Sequence, residues 1–247
     1  MGIYIKLFDT HSQYESYTAD TANFILPNVS YCKDQANVVH YNPYVEPIET
    51  RMVAKFNVTD TSRPTPISFK TNGIDGTSGF SAIEIDGVEQ PSVVSAYTFS
   101  TTGEHTVKYT LTDPTSIGDY AFFVCDNLLS VDMPNSVTSI GEWCFANCHN
   151  LEKVNSNENG VFNIPIGVTS ISGGTFSDCS SLTSCTIGNN VTSIEYEAFH
   201  NCSGLVSINI PSGVTFIDSG AFCNCNSLDA TTVAAIETIE PDAFYCS

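Results

Sequence analysis

Ser116-Ile117-Gly118-Asp119-Tyr120-Ala121-Phe122-Phe123-Val124-Cys125-Asp126-Asn127-Leu128 is a pattern that the chain repeats almost to its last residue. Its phenylalanine returns at Phe122, Phe145, Phe176, Phe199, Phe222 and Phe244. A cysteine follows three residues later at Cys125, Cys148, Cys179, Cys202 and Cys225, and a leucine three beyond that at Leu128, Leu151, Leu182, Leu205 and Leu228. The isoleucines Ile117, Ile140, Ile171, Ile194, Ile217 and Ile239 are separated by 23, 31, 23, 23 and 22 residues. Self-similarity at this period reads as a solenoid, each repeat forming one coil stacked on the next.

Each coil explains itself physically. Leu-x-x-Val-x-Ile is a strand whose apolar members point inward: Leu128, Val131 and Met133; Leu182, Cys185 and Ile187; Leu205, Ile208 and Ile210. Pro134, Pro165 and Pro211 end the strand, where no donor is needed. Val-Thr-Ser-Ile forms a return edge, and the Ala-Phe turn fills the centre of the coil. Five of the ten cysteines share one repeat position. Identical positions on successive coils stack about 4.8 Å apart, so a ladder of free, buried thiols is expected rather than a disulfide framework. Cys185 occupies a core strand position and reads the same way. Cys32, Cys144, Cys223 and Cys246 lie off the ladder and stay unassigned. Cys223-x-Cys225 is a faint metal signal with no matching His or Cys pair at zinc spacing.

Charge divides the chain. Its formal net charge is −19. From Ile117 onward there are 14 Asp and Glu against one cation, Lys153, whereas the first part carries 13 acids and 7 Lys and Arg. An acidic rod argues against nucleic acid or anionic membrane as partner, since both need clustered cations. No apolar run reaches the roughly 18 residues of a membrane span. The first residues, with Lys6 and Asp9, lack the apolar core of a signal peptide.

The remaining chain falls into two parts. Residues 1–47 read as a short α/β docking or attachment segment, with an amphipathic helix within 9–24 and a hairpin of 28–32 with 37–41. Residues 48–112 read as a small β-sandwich, immunoglobulin-like in outline, with strands at 52–58, 66–70, 80–86, 95–100 and 105–111 and clear turns at Asp86-Gly87 and Thr102-Gly103. Residues 113–247 are the repeats, about five coils. The fold class is thus mainly β. The segment Asp113-Pro-Thr-Ser-Ile117 imitates the repeat's own return edge, so the last sandwich strand is expected to supply the first rung of the solenoid. Residues 153–160, rich in Asn, Ser and Glu, are expected to bulge beside the strand. No polar cap follows the last coil in sequence, which predicts a strand edge to be covered by a partner or a second copy. Self-association is expected there or through the N-terminal segment.

No nucleophile elbow, phosphate loop or zinc-protease motif occurs, and the five histidines are scattered. No cofactor, metal or catalytic residue is assigned, and an enzyme is the least expected class. What remains is the outward row of strand positions between the core residues: Ser130 and Asp132, Lys153 and Asn155, Ser184 and Thr186, Ser207 and Asn209, and Ala230 and Thr232 in the last coil. These small polar side chains form a candidate binding face.

The motif Ser-Ile-Gly-x-x-Ala-Phe-x-x-Cys-x-x-Leu-x-x-Val-x-Ile-Pro-x-x-Val-Thr closely resembles the BspA-like, Treponema-type leucine-rich repeats over residues 117–247. That resemblance implies a cell-surface or extracellular protein that binds a protein or glycan on a host or cell surface, without enzymatic activity in the repeat. The opening Leu7-Phe8-Asp9-Thr10-His11-Ser12 with Leu26-Pro-Asn-Val-Ser-Tyr-Cys32 and Val39-His-Tyr-Asn-Pro43 is similar to N-terminal segments of surface and virion proteins from gut anaerobes and their phages. This adds two alternatives, a phage virion fibre or decoration subunit and a purely structural spacer. The phenylalanine stack is the largest source of buried area in the pattern. Replacing one ring, as in Phe199→Ala, is expected to cost about 3–5 kcal/mol in a denaturant titration.

Overall fold

The apolar positions of every repeat turn inward in the computed structural model, which describes residues 50–71, 73–154 and 164–246 and the strand backbones of 6–7, 31–33 and 39–41. The chain forms two compact units, Met1–Ile48 and Glu49–Ser247. In the first, β3 (Val39–Tyr41) lies parallel to β1 (Lys6–Leu7) and antiparallel to β2 (Tyr31–Lys33), with Cys32 opposite His40. The hairpin matches the expected one. The helix expected within 9–24 falls outside the described residues.

The second unit opens on β4 (Arg51–Val58), whose Met52, Ala54, Phe56 and Val58 alternate into the core. Four short strands follow: β5 (Thr65–Pro66), β6 (Lys70–Thr71), β7 (Ile74–Asp75) and, after β8 (Phe80–Ile85), β9 (Val88–Glu89). The β8–β9 hairpin closes on Asp86-Gly87 at φ 47° and 81°, the left-handed pair that a two-residue turn requires. The strands expected at 66–70 and 95–100 shrink to β5 and β10 (Ala96–Tyr97), which pair antiparallel. β11 (Gly103–Leu111) then runs between β4 and β8.

The repeats begin with β12 (Ser116–Ile117) and β13 (Leu128–Asp132). Here the structure corrects the sequence reading of the junction. β13 pairs with β4, not with the last strand of the module, and the sheet runs β15-β13-β4-β11-β8-β9. The reason is positional. Both edges of β11 are taken by β4 and β8, which leaves the outer edge of β4 to receive β13. The expected boundary at 112/113 thus falls inside one sheet and one compact unit.

Two parallel ladders build the coils. On one side β12 pairs with β14 (Ser139–Ile140), and β16 (Ser170–Ile171) pairs with β18 (Ser193–Ile194) and β18 with β20 (Phe216–Ile217). On the other, β13 pairs with β15 (Lys153–Val154), and β17 (Ser184–Thr186) with β19 (Ser207–Asn209). Among the described residues no strand pairing joins the second coil to the third, the point of the long repeat, and on the strand side Ile164 N donates to the Thr186 carbonyl at 3.1 Å. The turn side continues unbroken there. Trp143, Phe145 and Asn147 donate backbone N–H bonds to Gly173, Thr175 and Ser177 at 2.8–3.0 Å, and Ser172 Oγ bridges to the Ile140 carbonyl at 2.7 Å.

The core is a stack of rings. Phe122, Phe145, Phe176, Phe199 and Phe222 lie parallel at centroid spacings of 5.2–5.6 Å, and Phe244 continues them at 6.1 Å with a tilt. At the other end Tyr109 meets Phe122 edge-on at 5.3 Å and its hydroxyl donates to the Ile67 carbonyl. The β module and the solenoid therefore share one hydrophobic core.

The last coil departs from the template. Residues expected to make the fifth strand of the β13 ladder form instead helix α1 (Ala230–Ile239), capped by Asp229, whose carboxylate accepts from Thr231 N and Thr232 N. Ile236 is buried, and the helix packs against β19 and β20. The open strand edge anticipated from sequence is thus covered by the chain's own helix. Beyond it Pro241–Phe244 forms a 3-10 turn, and a disulfide joins Cys223 to Cys246.

Two positions per turn adopt left-handed backbone. The first is Tyr120, Trp143, Gly174, Glu197 and Gly220; the second is Val124, Asn147, Asp178, Asn201 and Asn224. Gly174 has a further reason to be glycine, since a Cβ there would lie 2.4 Å from the ring of Trp143, the chain's one tryptophan. Gly174→Ala combines a left-handed alanine, about 1–2 kcal/mol, with displacement of that indole. The expected result is a lowered denaturation midpoint together with a red shift of Trp143 fluorescence in the folded protein.

Candidate functional site

Strand register brings most of the expected face together. Ser130 stands opposite Lys153, Ser184 opposite Ser207, and Thr186 opposite Asn209, while Asp132 is exposed at the end of β13. The row also extends beyond the repeats, where no motif points to it. Through the β13–β4 pairing Ser130 faces Lys55 and Asp132 faces Val53, and β11 and β8 carry the same face onward through Lys108 and Glu84. Arg51, Lys55, Lys108 and Lys153, four of the chain's eight Lys and Arg, therefore lie on one sheet, interleaved with carboxylates. Lys55 bonds Glu104 at 2.8 Å and Lys108 bonds Glu84 at 2.7 Å. Repeat reading could not find this, because the pairing joins segments that share no motif.

Three expected members of the row stand differently. Thr232 is a correction. It sits in α1, is buried, and its hydroxyl donates to Asp229 at 2.8 Å, because a capped, alanine-rich run there favours helix over strand. Asn155 falls outside the described residues, as does most of the expected 153–160 bulge. Asn209 has a task in the fold. Its side-chain amide accepts from Ile187 N at 2.7 Å and donates to the Ile187 carbonyl at 3.1 Å, extending the β17–β19 ladder by one step.

A concave site of about 590 Å³ opens where the loop after β4 meets the turns of the first two coils. Asp60, Arg63, Asp126, Asn127, His149 and Asn150 line it with Val124, Pro64 and Pro66. Arg63 Nε lies 3.1 Å from Asp60 Oδ2, and His149 Nδ1 lies 2.5 Å from Asp126 Oδ1. Among the described residues no group of three or more His, Cys, Asp and Glu stands together to hold a metal ion, and no helix is long and apolar enough to cross a membrane.

The family model for the BspA type leucine rich repeat region matches residues 92–164 and 158–247 in six copies, together more than half of the chain. No curated protein matches. Among solved structures, a leucine-rich repeat protein from Bacteroides ovatus is 24% identical over 84% of this chain, with a TM-score of 0.42. A leucine-rich repeat protein from Eubacterium ventriosum is 29% identical over 46%, with a TM-score of 0.36. A leucine rich cell surface protein from Faecalibacterium prausnitzii is 21% identical over 86%, with a TM-score of 0.32. The chain spans 40%, 34% and 54% of the length of these three proteins. The virion alternative finds no support among them.

The thiols are built for packing. Cys148, Cys179, Cys202 and Cys225 each donate through Sγ to the phenylalanine carbonyl of the preceding coil, at 3.0–3.2 Å. Cys223 is in the disulfide and Cys225 in the ladder, so Cys223-x-Cys225 is not a ligand pair. Burial pushes the thiols of Cys125, Cys144, Cys148, Cys179, Cys185 and Cys202 well above their ordinary value of 9.0. Burial thus favours the protonated thiol, which packs as a small apolar group. Since the folded pKa lies above the unfolded one, the stabilisation is full below about pH 9 and is lost as pH rises beyond it. Tyr109, also shifted upward by burial, acts in the same direction. Denaturant midpoints are expected to be level between pH 7 and 8 and to fall between pH 9 and 11. A level midpoint through pH 11 would refute buried thiols.

Proposed function

Because the chain belongs to the BspA-type leucine-rich repeat family, we propose that it is a non-enzymatic, surface-displayed binding and adhesion protein. Its repeat array contacts a protein or glycan on a host or cell surface. The observation that carries this reading is the division of labour within each coil. The recurrent residues are consumed by the core, and the outward strand positions between them are polar and in register within each paired set, Ser130 with Lys153, and Ser184 and Thr186 with Ser207 and Asn209. A flat row of hydroxyls and amides suits hydrogen bonding to an extended partner and offers no group for chemistry. The β module, immunoglobulin-like in its strand pattern, anchors the array through the shared sheet and core and adds charged residues to the same face.

The test is attachment. The full chain is measured against immobilised extracellular-matrix proteins and a glycan array, beside the variant S184A/T186A/S207A. Asn209 is left intact because it supports the ladder. We expect a binder whose affinity falls at least tenfold in the triple variant, with an unchanged thermal midpoint. Binding equal to that of the parent chain sinks the strand-face assignment.

A further inference from the structure

The cavity beside β4 is not part of the strand face. It lies on the turn side, between the loop of residues 59–66 and the turns that follow Cys125 and Cys148. Its volume of about 590 Å³ falls within the range of roughly 300–1,000 Å³ common for small-ligand sites. Its walls are held in place from behind. Cys125 and Cys148 are buried core residues, Asn57 N donates to the Asn127 carbonyl at 2.8 Å, and the Asn150 side chain donates to the Asp126 carbonyl at 2.7 Å. A ligand would therefore meet a preorganised surface.

The polar groups are paired in a way that leaves both donors and acceptors on offer. His149 Nδ1 is held by Asp126 Oδ1, so Nε2 is the ring nitrogen available to a ligand. Arg63 is held to Asp60 through Nε, which leaves the two terminal amino groups of its fork. Asn150 gives its amide nitrogen to the backbone and keeps its oxygen. With histidine counted neutral, two carboxylates and one guanidinium give the cavity a net charge of only −1, in a chain whose net charge on the same count is −19. An anionic ligand would face Asp60 and Asp126, and a cationic one would face Arg63. A ligand whose groups each donate and accept, without net charge, fits both.

Val124 supplies a separate argument. It holds the second left-handed position of its turn at φ 59°, where the later coils place Asn147, Asp178, Asn201 and Asn224. Asn and Asp tolerate that backbone, whereas a β-branched residue there is an outlier. Only this coil accepts the strain, and the result is an isopropyl group, 42% exposed, in the cavity wall beside Pro64 and Pro66. An apolar patch opposite mixed donors and acceptors suits a pyranose, which has a C–H face and a rim of hydroxyls.

We propose that this junction cavity binds a short, uncharged oligosaccharide, at a site independent of the strand face. The experiment uses the full chain and a panel of tagged neutral di- and trisaccharides of hexoses and N-acetylhexosamines, with sulfated and sialylated counterparts and unstructured peptides as comparators. Variants are H149A, R63A and T59R, the last placing a long side chain from an exposed rim position into the cavity. All are checked by thermal midpoint, and S184A/T186A/S207A serves as the strand-face control. The expected result is a neutral oligosaccharide bound by the parent chain, weakened at least tenfold by H149A and by T59R, and unaffected by the strand-face control. Four results overturn the proposal: no neutral sugar bound, binding confined to anionic sugars, displacement by a peptide, or loss through the strand-face variant alone. Attachment unchanged in S184A/T186A/S207A, with the sugar site intact, would overturn only the reading given under Proposed function.

Discussion

One phenylalanine ring per coil, stacked on its neighbours at a little over 5 Å, is the constraint on which the rest depends. Each ring brings its own backbone carbonyl into the dry core, where it accepts from the N–H of the cysteine three residues on. The thiol of the next coil's cysteine is a second donor to the same oxygen. A thiol is small and apolar enough to pack there and still donates weakly through sulfur. Serine would donate better and cost more to desolvate. Alanine would fit and lose the bond that ties one coil to the next. The cysteine ladder is therefore the counterpart of the phenylalanine stack, and the two together pin the turn side of every coil.

That pinning explains where the structure permits irregularity. At the long second repeat the strand pairings among the described residues are interrupted, while ring stack, thiol bond and turn bonds pass from Phe145 to Phe176 without a gap. Extra residues leave on the strand side because only that side can open without unstacking a ring. The same logic places the helix. Phe244 and its turn continue the stack, while the strand that should precede them is replaced by α1.

The periodic part of the fold was legible in the sequence because each coil restates it. Phe, Cys, Leu and Ile fall in the core where their spacing puts them, and the parallel registers follow. Single events were harder to read. The β4–β13 pairing joins residues some 75 positions apart that share no motif. The helix at 230–239 had a local signal, Asp229 followed by Thr-Thr-Val-Ala-Ala, which the repeat template masked. Cys223 and Cys246 stand 23 residues apart, the commonest repeat length, and that spacing was the available clue to their bond. The strand-face residues were found by alternation alone. The cavity was not, because its walls come from three segments and its best marker, a valine in left-handed backbone, is a conformation and not a pattern.

The backbone bonds between coils run along the stacking direction, so a pull on the two ends of the solenoid loads them in series, one interface after another. A rod built in this way does not fail at once. It yields in steps, each paying out one coil of about 23 residues, or roughly 80 Å of extended chain. The Cys223–Cys246 bond removes the terminal coil from that sequence by closing it covalently, and the β4–β13 pairing joins the first coil to a sheet of six strands. Extension would begin between them, at the second and third coils, where strand pairing among the described residues is thinnest. A tether of this kind lengthens under load while its two ends stay folded.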